Sequence, residues 1–167
     1  MNWLVICLAA LVPLVTGFIW YSPKVMGNAW MRSTGLTEEQ LKGGNMAKIF
    51  GLTLLFSFML AFVMSGLVIH QYSLMSVVMN EPGFQEKDAT SPAFIWYTDA
   101  MAKYGNNFRT FKHGVLHGTI AALFIALPVL GINALFERKS GKYIMIHLGY
   151  WIITLALMGG MICQWGA

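Results

Sequence analysis

Residues 113–136 read HGVLHGTIAALFIALPVLGINALF, a run that contains no Asp, Glu, Lys or Arg. A helix needs about 20 predominantly apolar residues to cross the hydrocarbon core of a bilayer. Three further runs of the same kind occur in the chain, at residues 1–23, 49–80 and 143–167. Over all 167 residues, 57% are apolar and 11% are charged, against roughly 25% charged in a soluble domain. The chain is therefore predicted to cross a membrane four times.

These runs indicate an all-α, polytopic membrane protein with a single domain over residues 1–167. The predicted spans are 2–21, 46–72, 110–136 and 143–165, arranged as an antiparallel four-helix bundle, with an outer connection over residues 80–107. Pro13 and Pro128 are expected to kink the first and third spans. Each proline removes a backbone N–H that an internal helical position would donate.

Short helices at the membrane surface are predicted in the first and second connections. Trp20 and Tyr21 end the first span, and such rings with a polar tip are typical of the headgroup level. Helix-start patterns follow at Ser22–Pro23, at Thr37 with Gln40, and at Ser91–Pro92. The connections are therefore expected to be folded.

The distribution of basic residues predicts the orientation. The first and third connections hold an excess of them, at Lys24, Arg32, Lys42, Lys48, Arg138, Lys139 and Lys142. In the second connection, by contrast, basic residues are balanced by acidic ones. Because excess Lys and Arg stay cytoplasmic, both termini are predicted to lie outside, in a multi-pass membrane protein. The net charge of +4 follows from this topology and does not indicate a nucleic-acid partner.

Small residues predict how the spans pack, because they let helix backbones approach closely in lipid. One ridge recurs every four residues on the third span, at Gly114, Gly118, Ala122 and Ala126, and a second lies at Ser57, Ala61 and Ser65. These two ridges are predicted to face each other. A strip on the fourth span, at Gly149, Ala156 and Gly160, predicts a symmetric contact in a homo-oligomer.

Three histidines are candidate metal ligands. His113 and His117 lie one helical turn apart at the start of the third span, and His70 lies at a similar depth near the end of the second. Imidazoles in this arrangement can hold zinc, copper or a haem iron. The alternative is that they are interfacial histidines bonded to backbone or headgroups, so the sequence alone leaves the cofactor open.

A second set of polar and aromatic residues is predicted to gather at the cytoplasmic end of the spans. These candidate ligand-binding residues are Trp20, Tyr21, Asn133, His147 and Tyr150. Asn133 is expected to be buried within a span and to need a hydrogen-bond partner. That partner would be a facing helix or a bound headgroup.

Catalytic motifs are absent from the sequence. The seven carboxylates lie outside the predicted spans or at their margins, which argues against proton coupling through Asp or Glu. Cys7 and Cys163 lie inside spans, where thiols are inert. No phosphate loop, catalytic triad or carboxylate pair stands out as a catalytic arrangement, so the sequence favours a protein that is not an enzyme.

Four segments of the chain resemble one family. They are GFIWYSPKVMGNAWM at 17–31, TGLTEEQLKGGNMAKIFG at 34–51, INALFERKS at 132–140 and HLGYWIITLALMG at 147–159. The chain resembles the small bacterial membrane proteins known as domain of unknown function 1761. The resemblance implies a four-span integral protein of the bacterial inner membrane, and it brings no activity, substrate or catalytic residue.

Three hypotheses for function follow. The first is a non-catalytic, oligomeric membrane protein that binds or passes a small hydrophobic molecule, a lipid or a solute at its cytoplasmic end. The second is an accessory subunit of a larger membrane complex. The third is a metal or haem enzyme that uses His70, His113 and His117.

Overall fold

A computed structural model describes the backbone of residues 1–167 and every side chain except those of Glu38 and Lys42. The described chain is helical and contains no strand, which confirms the predicted all-α class. The α-helices are α1 (Trp3–Ala9), α2 (Val12–Trp20), α3 (Gly27–Thr34), α4 (Glu38–Lys42), α5 (Met46–Val68), α6 (Gln71–Val78), α7 (Pro92–Tyr104), α8 (Phe111–Ala121), α9 (Leu127–Phe136) and α10 (Gly141–Trp165). A π-helical segment, Ala122–Ala126, joins α8 to α9.

Four helical stretches are long and apolar enough to cross a membrane: Trp3–Trp20, Met46–Val68, Phe111–Phe136 and Gly141–Trp165. Large apolar side chains point outward from them, such as Phe18 at 85% exposure, as an integral membrane protein requires in lipid. The second stretch ends at Val68 and not at 72, because Ile69 takes an extended backbone conformation with ψ of 91°.

Helix α10 is the central element, and it packs against α8 more extensively than against α5, α2 or α1. A Cβ added to Gly118 would lie 2.5 Å from the carbonyl carbon of Leu155, and one added to Gly114 would lie 2.6 Å from that of Gly159. In these contacting pairs the residue number increases along α8 while it decreases along α10, so the two helices run in opposite directions. The predicted pairing of the Gly114 ridge with the second span is wrong. The backbone of α8 meets α10 because Gly159 offers a second position without a side chain.

The small strip on α10 also makes contacts within the chain. Gly149 lies under the indole of Trp20 and Gly160 lies under the ring of Phe111, where an added Cβ would come within 2.7 and 2.6 Å of the respective rings. The strip is therefore not free for a symmetric contact, because Gly149 and Gly160 are covered. The homo-oligomer stays a prediction without this support.

A polar contact joins the first and last spans, and irregular backbone interrupts the first and third spans. The hydroxyls of Thr16 and Thr154 lie 2.7 Å apart in the buried contact of α2 with α10. The first crossing is interrupted between Ala9 and Val12, just before Pro13, and the π-helical segment precedes Pro128. Both interruptions lie next to a proline, which lacks the backbone N–H that a regular helix would use as a hydrogen-bond donor.

The connections contain the short helices expected there, with one different start. Residues 21–26 form tight turns, so α3 begins at Gly27 and not at Pro23, and Gly27 is required because a Cβ there would meet Ser22 backbone atoms at 2.8 Å. The capping box of Thr37 and Gln40 is confirmed at the start of α4. Ser91 caps α7, as predicted.

Both chain ends lie at one end of the four spans, where Asn2 N–H donates to the carbonyl of Gly166 over 2.9 Å. We call this end, which includes residues 69–110, the termini face. The opposite end, with residues 21–45 and 137–140, is the basic face. The side of the membrane on which each face lies, and the bundle of all four spans as an antiparallel set, stay predictions.

Candidate functional site

The three predicted histidine ligands meet at the termini face. The extended backbone at Ile69 turns the chain out of α5 and places His70 at the start of α6. His113 and His117 lie one turn apart on α8, whose first turn is capped by the Thr110 hydroxyl accepting from the His113 N–H. Two helices that are distant in sequence therefore contribute to one cluster, which we call the histidine cluster.

The geometry of the histidine cluster is compact. One ring nitrogen from each of His70, His113 and His117 lies within 4.8 Å of the other two. The Nε2 atoms of His70 and His113 are 2.9 Å apart, a hydrogen-bond distance. The ring centroids are separated by 4.5 to 5.0 Å. Phe108 covers one side, with its ring centroid 5.1 Å from that of His113.

The distance between His70 Nε2 and His113 Nε2 is close to that of a metal centre, whereas the set of three ligand atoms, which lie within 4.8 Å of one another, would have to contract around an ion. Metal–nitrogen bonds of about 2.0–2.1 Å in a tetrahedral site place ligand nitrogens about 3.3 Å apart. Moving His70 Nε2 and His113 Nε2 from 2.9 Å to that spacing is a small side-chain adjustment. Three imidazoles would leave a fourth coordination position open, as in sites that exchange or activate a ligand. His70 is exposed and the other two are partly exposed, so an ion can reach them.

Helix α8, which carries His113 and His117, packs closely against α10. Gly114 and Gly118 alternate with His113 and His117 along α8, and both glycines are buried against α10. Cys163 of α10 is also buried there, and its thiol donates toward the carbonyls of Val68 and Phe108. This packing fixes the face on which the two imidazoles project.

At the basic face, four of the five predicted ligand-binding residues lie together. The Tyr21 hydroxyl is 2.7 Å from His147 Nδ1, and the Tyr21 ring lies 5.3 Å from Tyr150 and 5.6 Å from Trp30. Burial, with smaller effects of nearby Tyr150 and Tyr143, raises the pKa of Tyr21 well above its ordinary value. The protonated hydroxyl can therefore donate to Nδ1, and the His147 Nε2–H is then left buried without a partner.

Some of these groups already serve the fold. Trp20 Nε1–H donates to the carbonyl of Ile146 over 3.0 Å, and the Tyr150 hydroxyl donates to the carbonyl of Pro13 over 2.9 Å. Tyr21 and Trp30 line an open cavity of about 510 Å³ between α3 and the start of α5. Its remaining walls are apolar, from Pro23, Gly27, Met31, Leu41 and Met46.

Asn133 does not join this set. It is exposed, and it lines a groove with Leu130, Trp151 and Leu155 on the outer surface of the spans. The expectation that Asn133 is buried is wrong. The residue of α9 that is buried is the neighbouring Ala134, so Asn133, one position earlier on the helix, faces outward.

Three residues of the termini face were missed by sequence reasoning: Gln71, Tyr72 and Arg109. All three line a cavity of about 590 Å³. Burial raises the pKa of Tyr72, and the positive charge of Arg109 acts against that rise. The signal in the sequence was a polar Gln-Tyr pair inside a run that was assigned wholly to the second span.

Comparisons with known proteins give a family and no activity. Neither a curated protein nor a solved structure matches the chain. A family model does match, over residues 4–163 and therefore over nearly the whole sequence, including the histidine cluster and the residues gathered at the basic face. The chain belongs to the family described as protein of unknown function (DUF1761).

Proposed function

We propose that this protein binds a transition-metal ion, zinc or copper, at the histidine cluster of an integral membrane protein. The observation that carries the proposal is the convergence of His70 with His113 and His117, whose ligand atoms lie within 4.8 Å of one another. The distribution of basic residues favours a termini face on the outer side of the membrane, where it would meet ions from outside the cell.

The donor set selects the ion. Neutral imidazole nitrogens suit zinc and copper, whereas magnesium, calcium and manganese prefer oxygen ligands. Histidine is the residue type of every group brought together here, and no carboxylate is part of the cluster among the described residues. An open fourth position suits an ion that is transferred or that binds a further ligand.

A hydrogen-bonded histidine pair is the structural alternative. It accounts for the 2.9 Å contact between His70 and His113, because one Nε2–H can donate to the other Nε2. It gives no role to His117, whose ring lies 4.5 and 4.8 Å from the other two. A three-coordinate ion uses all three rings.

The experiment is metal binding by the whole protein in mild detergent. After chelator treatment, the protein is titrated separately with Zn²⁺, Cu⁺ and Co²⁺, and bound metal is counted by mass spectrometry. We expect one ion per chain. Replacing His70, His113 or His117 singly with Gln should weaken binding at least about 100-fold, because even residues behind metal ligands cost 10- to 100-fold when changed.

His147 provides a matched control, since it is the fourth and last histidine of the chain and lies at the opposite face. The His147→Gln variant should bind metal as the unchanged protein does. Binding that survives the joint loss of His70, His113 and His117 would refute the proposed site. A Soret absorption band that is present in the unchanged protein and absent from the His70→Gln variant would show that the histidines bind haem iron and not a single zinc or copper ion.

A second candidate function is supported by the basic face. We propose that the cavity between Tyr21 and Trp30 accepts a small apolar molecule or the hydrocarbon part of a lipid, because its remaining walls are apolar. Native mass spectrometry of protein taken directly from membranes tests this. A Trp30→Ala variant should lose a bound lipid species, while the His117→Gln variant should keep it. Equal lipid binding by both variants would reject the cavity.

A further inference from the structure

The cavity at the termini face that includes Gln71 differs in kind from the histidine cluster. It lies between the end of α5, the start of α6 and α7, and has a volume of about 590 Å³, within the roughly 300–1,000 Å³ typical of small-molecule sites. Its walls are mainly apolar, from Phe62, Val63, Ile69, Met75 and Met101. Such a lining suits the hydrocarbon part of a ligand.

Gln71 brings an unsatisfied acceptor to this cavity. Its side-chain NH₂ donates to the carbonyl of Tyr104 over 3.1 Å and to that of Asn107 over 2.9 Å. Both partners can only accept, so the orientation of the amide is fixed and Oε1 must face away from them. Gln71 is 8% exposed, and its Oε1 is buried without a hydrogen-bond partner. A buried acceptor of this kind needs a donor.

Two further polar groups line the same cavity. The hydroxyl of Tyr72 is also buried and has no partner. The Nε–H of Arg109 donates to the carbonyl of Cys163 over 2.6 Å, which anchors the side chain. A guanidinium carries five N–H donors in all, so an anchored Arg109 can still receive an anion. A residue with a free acceptor, one with a free hydroxyl and one with a positive charge therefore line a single, mainly apolar cavity.

We infer that this cavity binds a single-chain anionic amphiphile that carries a hydroxyl group. The anionic headgroup would pair with Arg109, the ligand hydroxyl would donate to Gln71 Oε1, and the Tyr72 hydroxyl would bond to the headgroup. The hydrocarbon chain would lie along Phe62, Val63 and Met101. A carboxylate and a phosphate monoester offer the same hydrogen-bonding chemistry to a guanidinium. The site therefore predicts an anionic, hydroxyl-bearing amphiphile, whichever of these two headgroups it carries.

The test uses the whole protein in nanodiscs of phosphatidylcholine, with radiolabelled β-hydroxylauric acid and lysophosphatidic acid as separate probes. Saturable binding of at least one probe is expected, and the probe that binds identifies the headgroup. For the carboxylate probe, lauric acid lacks the hydroxyl, and the methyl ester of β-hydroxylauric acid lacks the charge. Each should bind about tenfold more weakly, because each loses one buried hydrogen bond or charge contact.

Variants then assign the contacts. Tyr72→Phe should weaken binding about tenfold, and Arg109→Gln about 10- to 100-fold, with most affinity retained in Arg109→Lys. Tyr143→Phe removes a tyrosine hydroxyl at the opposite face and should change nothing. Size-exclusion profiles and circular dichroism establish that each variant is folded. His70→Gln should keep amphiphile binding, so loss of the metal site and loss of this site are separable.

Two results would overturn the inference. The first is an absence of saturable binding for both probes, which would leave water as the partner of Gln71. The second is binding that is unchanged by both Tyr72→Phe and Arg109→Gln in folded protein, which would place the amphiphile elsewhere.

Discussion

Replacement of Gly118 by alanine should be among the most damaging small changes to this protein. Gly118 is buried at the contact of α8 with α10, where an added Cβ would lie 2.5 Å from the Leu155 carbonyl carbon and 2.9 Å from Ala156 Cα. The first distance is about 0.9 Å shorter than the 3.4 Å at which ordinary contact begins. Both neighbours are backbone atoms, so neither can rotate away.

The two helices must therefore separate to admit the methyl group. A gap of 0.5–1 Å removes roughly a quarter to a half of the dispersion energy of each contact along the interface, and overpacking of a tight core costs about 1–3 kcal/mol. Gly51 is the matched control. It lies within α5 with nothing within 4 Å of an added Cβ, and alanine there should gain up to about 1 kcal/mol of helix propensity.

The measurement is the free energy of unfolding, from titration with sodium dodecyl sulfate in mixed micelles followed by circular dichroism. Gly118→Ala should be less stable than Gly51→Ala by about 1–3 kcal/mol, because the gain of helix propensity is common to both changes and only Gly118→Ala overpacks its site. The histidine cluster gives a second readout, because separation of α8 from α10 should also displace His117. Equal stability of the two variants would show that the backbones of α8 and α10 are not in direct contact at Gly118.

Three other changes test separate features. Tyr21→Phe removes the 2.7 Å contact with His147 Nδ1 and should cost about 0.5–1.5 kcal/mol in the same titration; no loss would mean that the contact adds nothing to stability. Thr37→Ala removes the capping box of α4 and should weaken that helix by about 1 kcal/mol, seen as faster hydrogen exchange over residues 38–42 with exchange in α10 unchanged. Hydrogen bonds from the Thr90 N–H and hydroxyl lower the pKa of Asp88 from 3.8. Because the folded pKa is the lower one, the turn is stabilised in full above pH 3.8 and loses that stabilisation as the pH falls through the folded value. Pepsin cleavage of this connection should therefore rise on acidification, whereas Asp88→Ala should be cleaved readily at every pH tested.

The sequence predicts the helices well because length and composition alone decide whether a segment can cross a bilayer. Helix starts could also be predicted where one side chain caps its own helix, as at Thr37 and Ser91. The turn at Ser22–Pro23 was not, because hydrogen bonds from Met26 to Trp20 and from Gly27 to Ser22 hold it. A pattern read over three residues does not include such bonds.

Contacts between spans were harder to predict. The chain has several small-residue ridges, and spacing within one helix does not say which other ridge it meets. The meeting of His70 with His113 and His117 was predicted because the predicted spans put all three residues at a similar depth. Gln71 and Tyr72 were missed because α5 ends at Val68 through the backbone of Ile69, and an apolar run carries no sign of where its helix ends.

The π-helical segment Ala122–Ala126 makes the third crossing tolerant of a change in length. A π turn holds one residue more than the α-helical path it replaces, and each α-helical residue turns the chain by about 100°. Deletion of Leu123 would let the wide turn close into a regular one. The half that bears His117 and the half that bears Asn133 would then both keep their present facings. In an uninterrupted crossing such as α10, the same deletion would rotate all residues beyond it by about 100° relative to those before it.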